Sequence, residues 1–179
     1  MASELIVQTL KGPTSGANAN KVIIPSGQTL DMSAGTLTPS SGQIVQTVTS
    51  TLLQNPDQFD SSSTSYADTG HSVTITPTST SSTIYIHLLT TVAVPNNLNQ
   101  AARIKLFRDS TEIFYSNNIF YTTSSAQEFF GAGYCFGKVD SPSSTSAITY
   151  KTQFAMRESG STGTYNSQDA VLLVQEIAG

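Results

Sequence analysis

The sequence predicts an all-β protein: an extended N-terminal β arm over residues 1–42, then an antiparallel β-sandwich over residues 43–179. Three observations carry this. Charged residues make up only 11% of the 179 positions, against about 25% in an ordinary globular chain, while Ser and Thr supply 26 and 25. Apolar residues recur with a period of two in segment after segment, the spacing of a half-buried strand. No segment carries a convincing helical stripe. The 15 aromatic residues (8 Phe and 7 Tyr) separate the chain from disordered sequences, which lack them.

The arm comes first. No aromatic residue precedes Phe59, so residues 1–42 lack the side chains that dominate a compact core. They hold short apolar runs, Leu5-Ile6-Val7 and Val22-Ile23-Ile24, that read as brief strands in need of a partner surface. Pro25-Ser26-Gly27-Gln28-Thr29-Leu30 recurs as Pro39-Ser40-Ser41-Gly42-Gln43-Ile44-Val45, a turn followed by a short strand in each copy. Such units suit an extended structure wound with sister chains. A flexible Ser/Gly/Pro linker is the competing reading.

The head is read strand by strand. Gln43 to Leu53 alternates without a helical stripe, and Ser72 to Thr76 alternates cleanly before Pro77, with His71 at the preceding turn. Ser82 to Val94 reads as a long, mostly buried strand. Ala102 to Phe107 sets Ile104 and Leu106 on one face and Arg103, Lys105 and Phe107 on the other. Asp109-Ser110 forms a hairpin turn into Thr111 to Tyr115. In Glu128 to Val139, Gly131, Gly133 and Gly137 thin the strand for a bulge or close packing. Ile148 to Arg157 is the clearest strand, with Ile148, Tyr150, Thr152, Phe154 and Met156 on its buried face. Ala170 to Ile177 closes the chain as a central strand. About eight strands separated by polar loops indicate an antiparallel sandwich or jelly roll.

Charge and composition exclude several functions. A net charge of −4 lacks the basic surplus that nucleic-acid binding needs. Residues 1–11 have no basic leader and only three consecutive apolar residues, so no secretory signal is expected. The longest apolar tract, Ile84 to Val94, is interrupted by His87, Thr90 and Thr91 and too short to span a bilayer as a helix. A single cysteine, Cys135, rules out a disulfide framework and reads as a small buried residue.

No catalytic, cofactor or metal motif is found, and the expectation is a protein that is not an enzyme. The two histidines lack ligand spacing, and His87 reads as a core or interface residue. Asp57 and Asp60 do not continue into a calcium loop, and no P-loop or nucleophile elbow occurs. What remains is aromatic. Phe114-Tyr115, Phe120-Tyr121 and Phe129-Phe130 each put rings on both faces of a strand. One ring of each pair can enter the core, and the other needs a second apolar surface, a neighbouring subunit ahead of a ligand such as a glycan. Phe114, Tyr115, Phe120, Tyr121, Phe129 and Phe130 are therefore the subunit-interface candidates.

These pieces resemble a known family. Val22-Ile23-Ile24-Pro25-Ser26-Gly27-Gln28-Thr29-Leu30-Asp31, Ala34-Gly35-Thr36-Leu37-Thr38-Pro39 and Gly42-Gln43-Ile44-Val45-Gln46 are similar to the N-terminal stretch of tail-fibre-like structural proteins of marine cyanophages and related phages. Ser72-Val73-Thr74-Ile75-Thr76-Pro77, Leu106-Phe107-Arg108-Asp109-Ser110-Thr111 and Leu173-Val174-Gln175-Glu176-Ile177 fit the same pattern. The resemblance implies a virion protein made in the host cytoplasm. It implies a homotrimer whose jelly-roll head is shaped like the trimeric C1q and tumour-necrosis-factor heads. The arm would attach to tail or capsid proteins, with Leu5, Ile6, Val7, Val22, Ile23 and Ile24 as docking candidates, and the head would face outward toward a host glycan or protein. A capsid decoration, knob or tail-assembly protein that binds only other virion proteins is the alternative; a glycan depolymerase ranks below both.

Overall fold

A computed structural model describes residues 13–17, 22–29, 38–95, 99–123 and 129–179, apart from the side chains of Asn55 and Phe129. The chain divides into two units, residues 1–38 and residues 39–179. In the first unit, Leu5, Ile6 and Val7 lie outside the described residues. Val22, Ile23 and Ile24 are exposed, and no strand occurs among the described residues there.

Both copies of the short repeat close the same turn. Gln28 N–H donates to Pro25 O at 3.1 Å, and Gln43 N–H donates to Ser40 O at 3.1 Å. The third residue of each turn is glycine, Gly27 at φ +79° and Gly42 at φ +83°, the left-handed conformation that a type II turn demands there. The second copy belongs with the head: Gly42 N–H donates to Ala178 O and Ala178 N–H to Gln43 O, tying entry to exit.

The head is an antiparallel two-sheet sandwich, as its alternation predicted. Its elements are β1 (Ile44–Leu52), a single helical turn α1 (Gln54–Asp57), β2 (Phe59–Ser61), β3 (Ala67–Ile75), β4 (Thr83–Pro95) and β5 (Ala102–Arg108). They continue as β6 (Thr111–Ile119), β7 (Phe129–Asp140), β8 (Ile148–Met156), β9 (Gly163–Tyr165) and β10 (Ala170–Ile177). One sheet runs β1-β10-β4-β9-β2, with β7 on the other side of β4; the second runs β3-β8-β5-β6. The eight long strands pair from the outside inward: β1 with β10, β3 with β8, β4 with β7, β5 with β6. That nesting is the wrapping of a jelly roll.

Local chemistry explains the departures from the expected elements. Helix α1 was not expected; Asp57 Oδ2 accepts from Leu53 N–H at 3.2 Å and closes its one turn. Strands β2 and β9, three residues each, are too short to show a period. Strand β3 begins earlier than Ser72 because a register shift between Asp68 and Ser72, with Gly70 at φ +81°, carries the chain through an irregularity and back into the sheet. His71 thus lies inside a strand, fully buried. The β4–β7 register is continuous from Ile84↔Asp140 to Pro95↔Phe129, so the glycines of β7 mark no bulge.

The core lies between the sheets. Strand β4 contributes Ile84, Ile86, Leu88, Val92 and Val94; β8 contributes Ile148, Tyr150, Phe154 and Met156, the face read from the sequence apart from Thr152, which is also buried. Each such side chain removed from water stabilises the fold by roughly 1.5–3 kcal/mol. At one end, Asp140 of β7 accepts both Arg108 Nη1 contacts (2.9 and 3.0 Å) and the Tyr150 hydroxyl (2.8 Å), joining the two sheets.

Candidate assembly surface

The six aromatic candidates go to different places. Phe114 turns inward and stacks on Phe136, centroids 4.1 Å apart at 19°, so it is a core residue. Tyr115 is exposed on the outer side of the second sheet, with Lys105 Nζ 5.7 Å from its centroid and 4.4 Å from that of Tyr66. Phe120 sits at φ +52° and packs edge-on to Phe130, centroids 5.3 Å apart. Tyr121 donates to Asn99 Oδ1 at 2.6 Å and carries the Arg157 guanidinium over its ring at 4.8 Å. Phe130 is exposed. The Phe129 side chain lies outside the described residues. One ring of each described pair does turn inward, but the outward rings do not form one surface.

The coherent surface is elsewhere, on the outer side of the first sheet. Alternation sends Val171, Leu173, Gln175 and Ile177 of β10 outward, beside Tyr85, His87, Leu89, Thr91 and Ala93 of β4. Thr47, Thr49 and Thr51 of β1 flank them on one side, with Gly131, Gly133, Cys135, Gly137 and Val139 of β7 on the other. None of these outward positions is Asp, Glu, Lys or Arg. Leu89 is 51% and Val139 57% exposed, near the middle and at the edge of the face. Cys135, expected to be buried, is exposed here, because odd-numbered positions of β7 point out.

The side chains on this face support one another. The Tyr85 and His87 rings meet at 4.2 Å and 82°. A Cβ on Gly137 would lie 3.2 Å from the Tyr85 hydroxyl, so this glycine leaves room for the ring. A Cβ on Gly133 would meet nothing within 4 Å. The sequence held a signal for the face: adjacent apolar residues such as Leu88-Leu89 and Leu172-Leu173 occupy both sides of their strands, and a strand apolar on both sides needs cover on both.

The outer side of the second sheet has the opposite character. Lys105 pairs with Glu112 at 2.7 Å, and Lys151 with Asp68 at 2.8 Å. Bonds from Lys151 and Gln153 hold the Asp68 carboxyl below its usual pKa. Arg157 Nη1 donates to Asn118 Oδ1 at 3.1 Å. Arg108, next to the hairpin turn, reaches Asp140, while Asp109 Oδ1 accepts from Thr149 N–H at 2.9 Å.

Glu176 and His71 are among the polar groups buried in the sandwich. Glu176 is fully buried and accepts from Gln46 Nε2 (2.6 Å), Thr78 N–H and Oγ1 (2.7 Å each) and Ser82 Oγ (2.7 Å). Burial works to raise its pKa, but these four bonds outweigh it and hold the carboxyl below its usual value. His71 Nδ1 lies 2.7 Å from the Tyr165 hydroxyl and Nε2 lies 3.1 Å from Ser50 O. No group of three or more His, Cys, Asp or Glu side chains among the described residues could hold a metal ion. No helix among them is long and apolar enough to cross a membrane.

The chain matches no protein-family model and no curated protein. Three solved structures of infectious bursal disease virus are similar to it at low identity. One is a VP2 subviral particle, 16% identical over 92% of this chain and 45% of that chain, TM-score 0.37. The Gx strain structure is 13% identical over 87% and 42%, TM-score 0.39. Virus-derived T=1 particles are 14% identical over 87% and 41%, also TM-score 0.39. This chain spans less than half the length of each of these three chains.

Proposed function

We propose that this chain is a non-enzymatic structural protein of a virus particle, whose head associates with copies of itself through the outer side of its first sheet. The observation that carries the reading is the four-strand face without Asp, Glu, Lys or Arg, on which Leu89 and Val139 are each more than half exposed. A large apolar patch on a folded chain is a mark of an interaction surface. Copies of one chain share its net charge of −4, and a face without charged side chains lets them meet without like-charge contact. The hydroxyls of Thr47, Thr49 and Thr51 and the amide of Gln175 both donate and accept, so identical faces can satisfy each other.

The resemblance to phage tail-fibre-like proteins supports the finer reading: a homotrimer, residues 1–42 docked on the tail or capsid through Val22, Ile23 and Ile24, and the head turned outward toward the host. Light scattering on the purified chain tests the association. A mass three times the 19.0 kDa of one chain supports the trimer. A monomeric mass at micromolar concentration, unchanged by Leu89→Lys, would sink the reading. Electron microscopy of particles labelled with an antibody to the head tests the location, and absence of label would remove the virion role.

A further inference from the structure

His71 sits at the corner where the edge strand β1 meets β3, and its surroundings form a directed chain. Ser50 O is a carbonyl and can only accept, so His71 Nε2 carries the proton in that 3.1 Å contact. In the neutral ring Nδ1 then accepts from the Tyr165 hydroxyl at 2.7 Å. Tyr165 accepts in turn from Thr152 Oγ1 at 3.2 Å, and Thr152 Oγ1 lies 2.7 Å from Thr69 Oγ1. The chain joins β1, β3, β8 and β9, strands from both sheets, and every neutral group in it is satisfied.

A charged His71 keeps its Nε2–H bond to Ser50 O, but its new Nδ1–H faces the Tyr165 hydroxyl, which must turn its own proton away, and the charge is held in a buried site. Of the ionisable groups on the strands around it, only the Tyr165 hydroxyl faces its ring, and burial keeps that hydroxyl protonated. On β10, Glu176 is engaged by Gln46, Thr78 and Ser82; on β3, Asp68 is bound to Lys151 of β8 on the outer surface. Tyr150 of β8 donates to Asp140. Burial lowers the pKa of His71, and the Ser50 carbonyl only partly opposes it. A cation there lacks a counter-charge, and the least supported wall of its enclosure is β1, which among the described strands pairs only with β10.

We propose that His71 is an acid-sensitive latch: neutral, it ties edge strand β1 to the second sheet; protonated, it opens the β1–β3 corner to water. The sign follows from linkage. A histidine whose folded pKa lies below its ordinary value of about 6.5 stabilises the closed form above that pH, and the stability is lost as pH falls through the folded value. Opening therefore rises by up to about tenfold per pH unit below about 6.5. Unperturbed Asp and Glu side chains titrate at about 4, so the window between about pH 6.5 and 5 is the one in which histidine changes charge.

The test uses the intact chain. Imidazole NMR resolves the chain's two histidines, His71 and His87. The expected result is a proton on Nε2 of His71 at pH 7 and a midpoint below 6.5. Amide hydrogen exchange at pH 7 and 5, corrected for intrinsic rates, should show protection falling in β1 and β3 while β5 and β6 keep theirs. A His71 midpoint at or above 6.5, or equal loss of protection in all strands, overturns the proposal. His71→Gln keeps a donor toward Ser50 without a titrating ring; where it folds, the pH dependence at β1 should vanish, and its persistence would also overturn the latch.

Discussion

The two outer sides of the sandwich are built by the same alternation and differ completely in what they present. On the second sheet, Lys105, Lys151, Asp68 and Glu112 pair across strands, and Lys105 lies over the rings of Tyr66 and Tyr115. These groups answer one another and leave the surface content in water. On β1, β10, β4 and β7 of the first sheet the outward positions carry no Asp, Glu, Lys or Arg, and Leu89 and Val139 are each more than half exposed. Both sheets turn apolar residues inward to the core, so the difference is not one of folding. It leaves one side with its charges answered by one another and the other side open to the self-association proposed above.

The largest test of that contrast is to give the first sheet a charge. Leu89→Lys should weaken self-association by more than about 100-fold, since an unpaired charge buried in a contact costs about 3 kcal/mol or more. Sedimentation across a concentration series reads this, and the melting temperature of the head should hardly move. Raising the salt concentration sharpens the same point: association through an uncharged face should not weaken. A steep loss with salt would instead assign association to the charged side.

The inner side of the first sheet provides the next effect. Glu176→Ala strips the acceptor from Gln46, Thr78 and Ser82 and should cost about 3 kcal/mol in denaturant unfolding. Because the folded pKa of Glu176 is lowered, its contribution is complete above the ordinary carboxylate value and disappears as pH falls through the lower folded value. Wild type should lose stability in that range, and the alanine variant should lose less.

Smaller effects separate the two outer sides residue by residue. Gly137→Val must displace the Tyr85 ring and should cost about 1 kcal/mol. Gly133→Val meets open space and should stay within about 0.5 kcal/mol in folding, while reducing association. On the charged side, Lys151→Ala removes an exposed pair and should shift stability by no more than about 1 kcal/mol. Equal sensitivity of association to Lys151→Ala and Gly133→Val would erase the distinction between the sides.

Much of the fold was legible because a strand writes its orientation into alternate residues. The buried faces of β5 and β8 followed from that period, the hairpin at Asp109-Ser110 from its turn residues and the central position of β10 from its apolar run. The short strands β2 and β9 and the turn α1 did not, since three or four residues carry no period. The assembly surface was only half legible. Rings draw attention by size, so Phe114 and Tyr121 stood out, whereas a face made of Leu89, Val139 and glycines becomes a surface only when four strands are laid side by side.

Sequence by itself determined the class of fold: all-β, poor in charge, with a turn-and-strand unit repeated from Pro25 and from Pro39 and the inner and outer residues of β5 and β8 assigned. Tertiary structure alone decided which strands are neighbours, and so which outward residues join into one face and that His71 meets Tyr165 and Ser50. The reason is range. Alternation and turn chemistry act over two to four residues, while the pairing of β1 with β10 and of β4 with β7 joins segments far apart in the chain, selected by how the sheets close around one core.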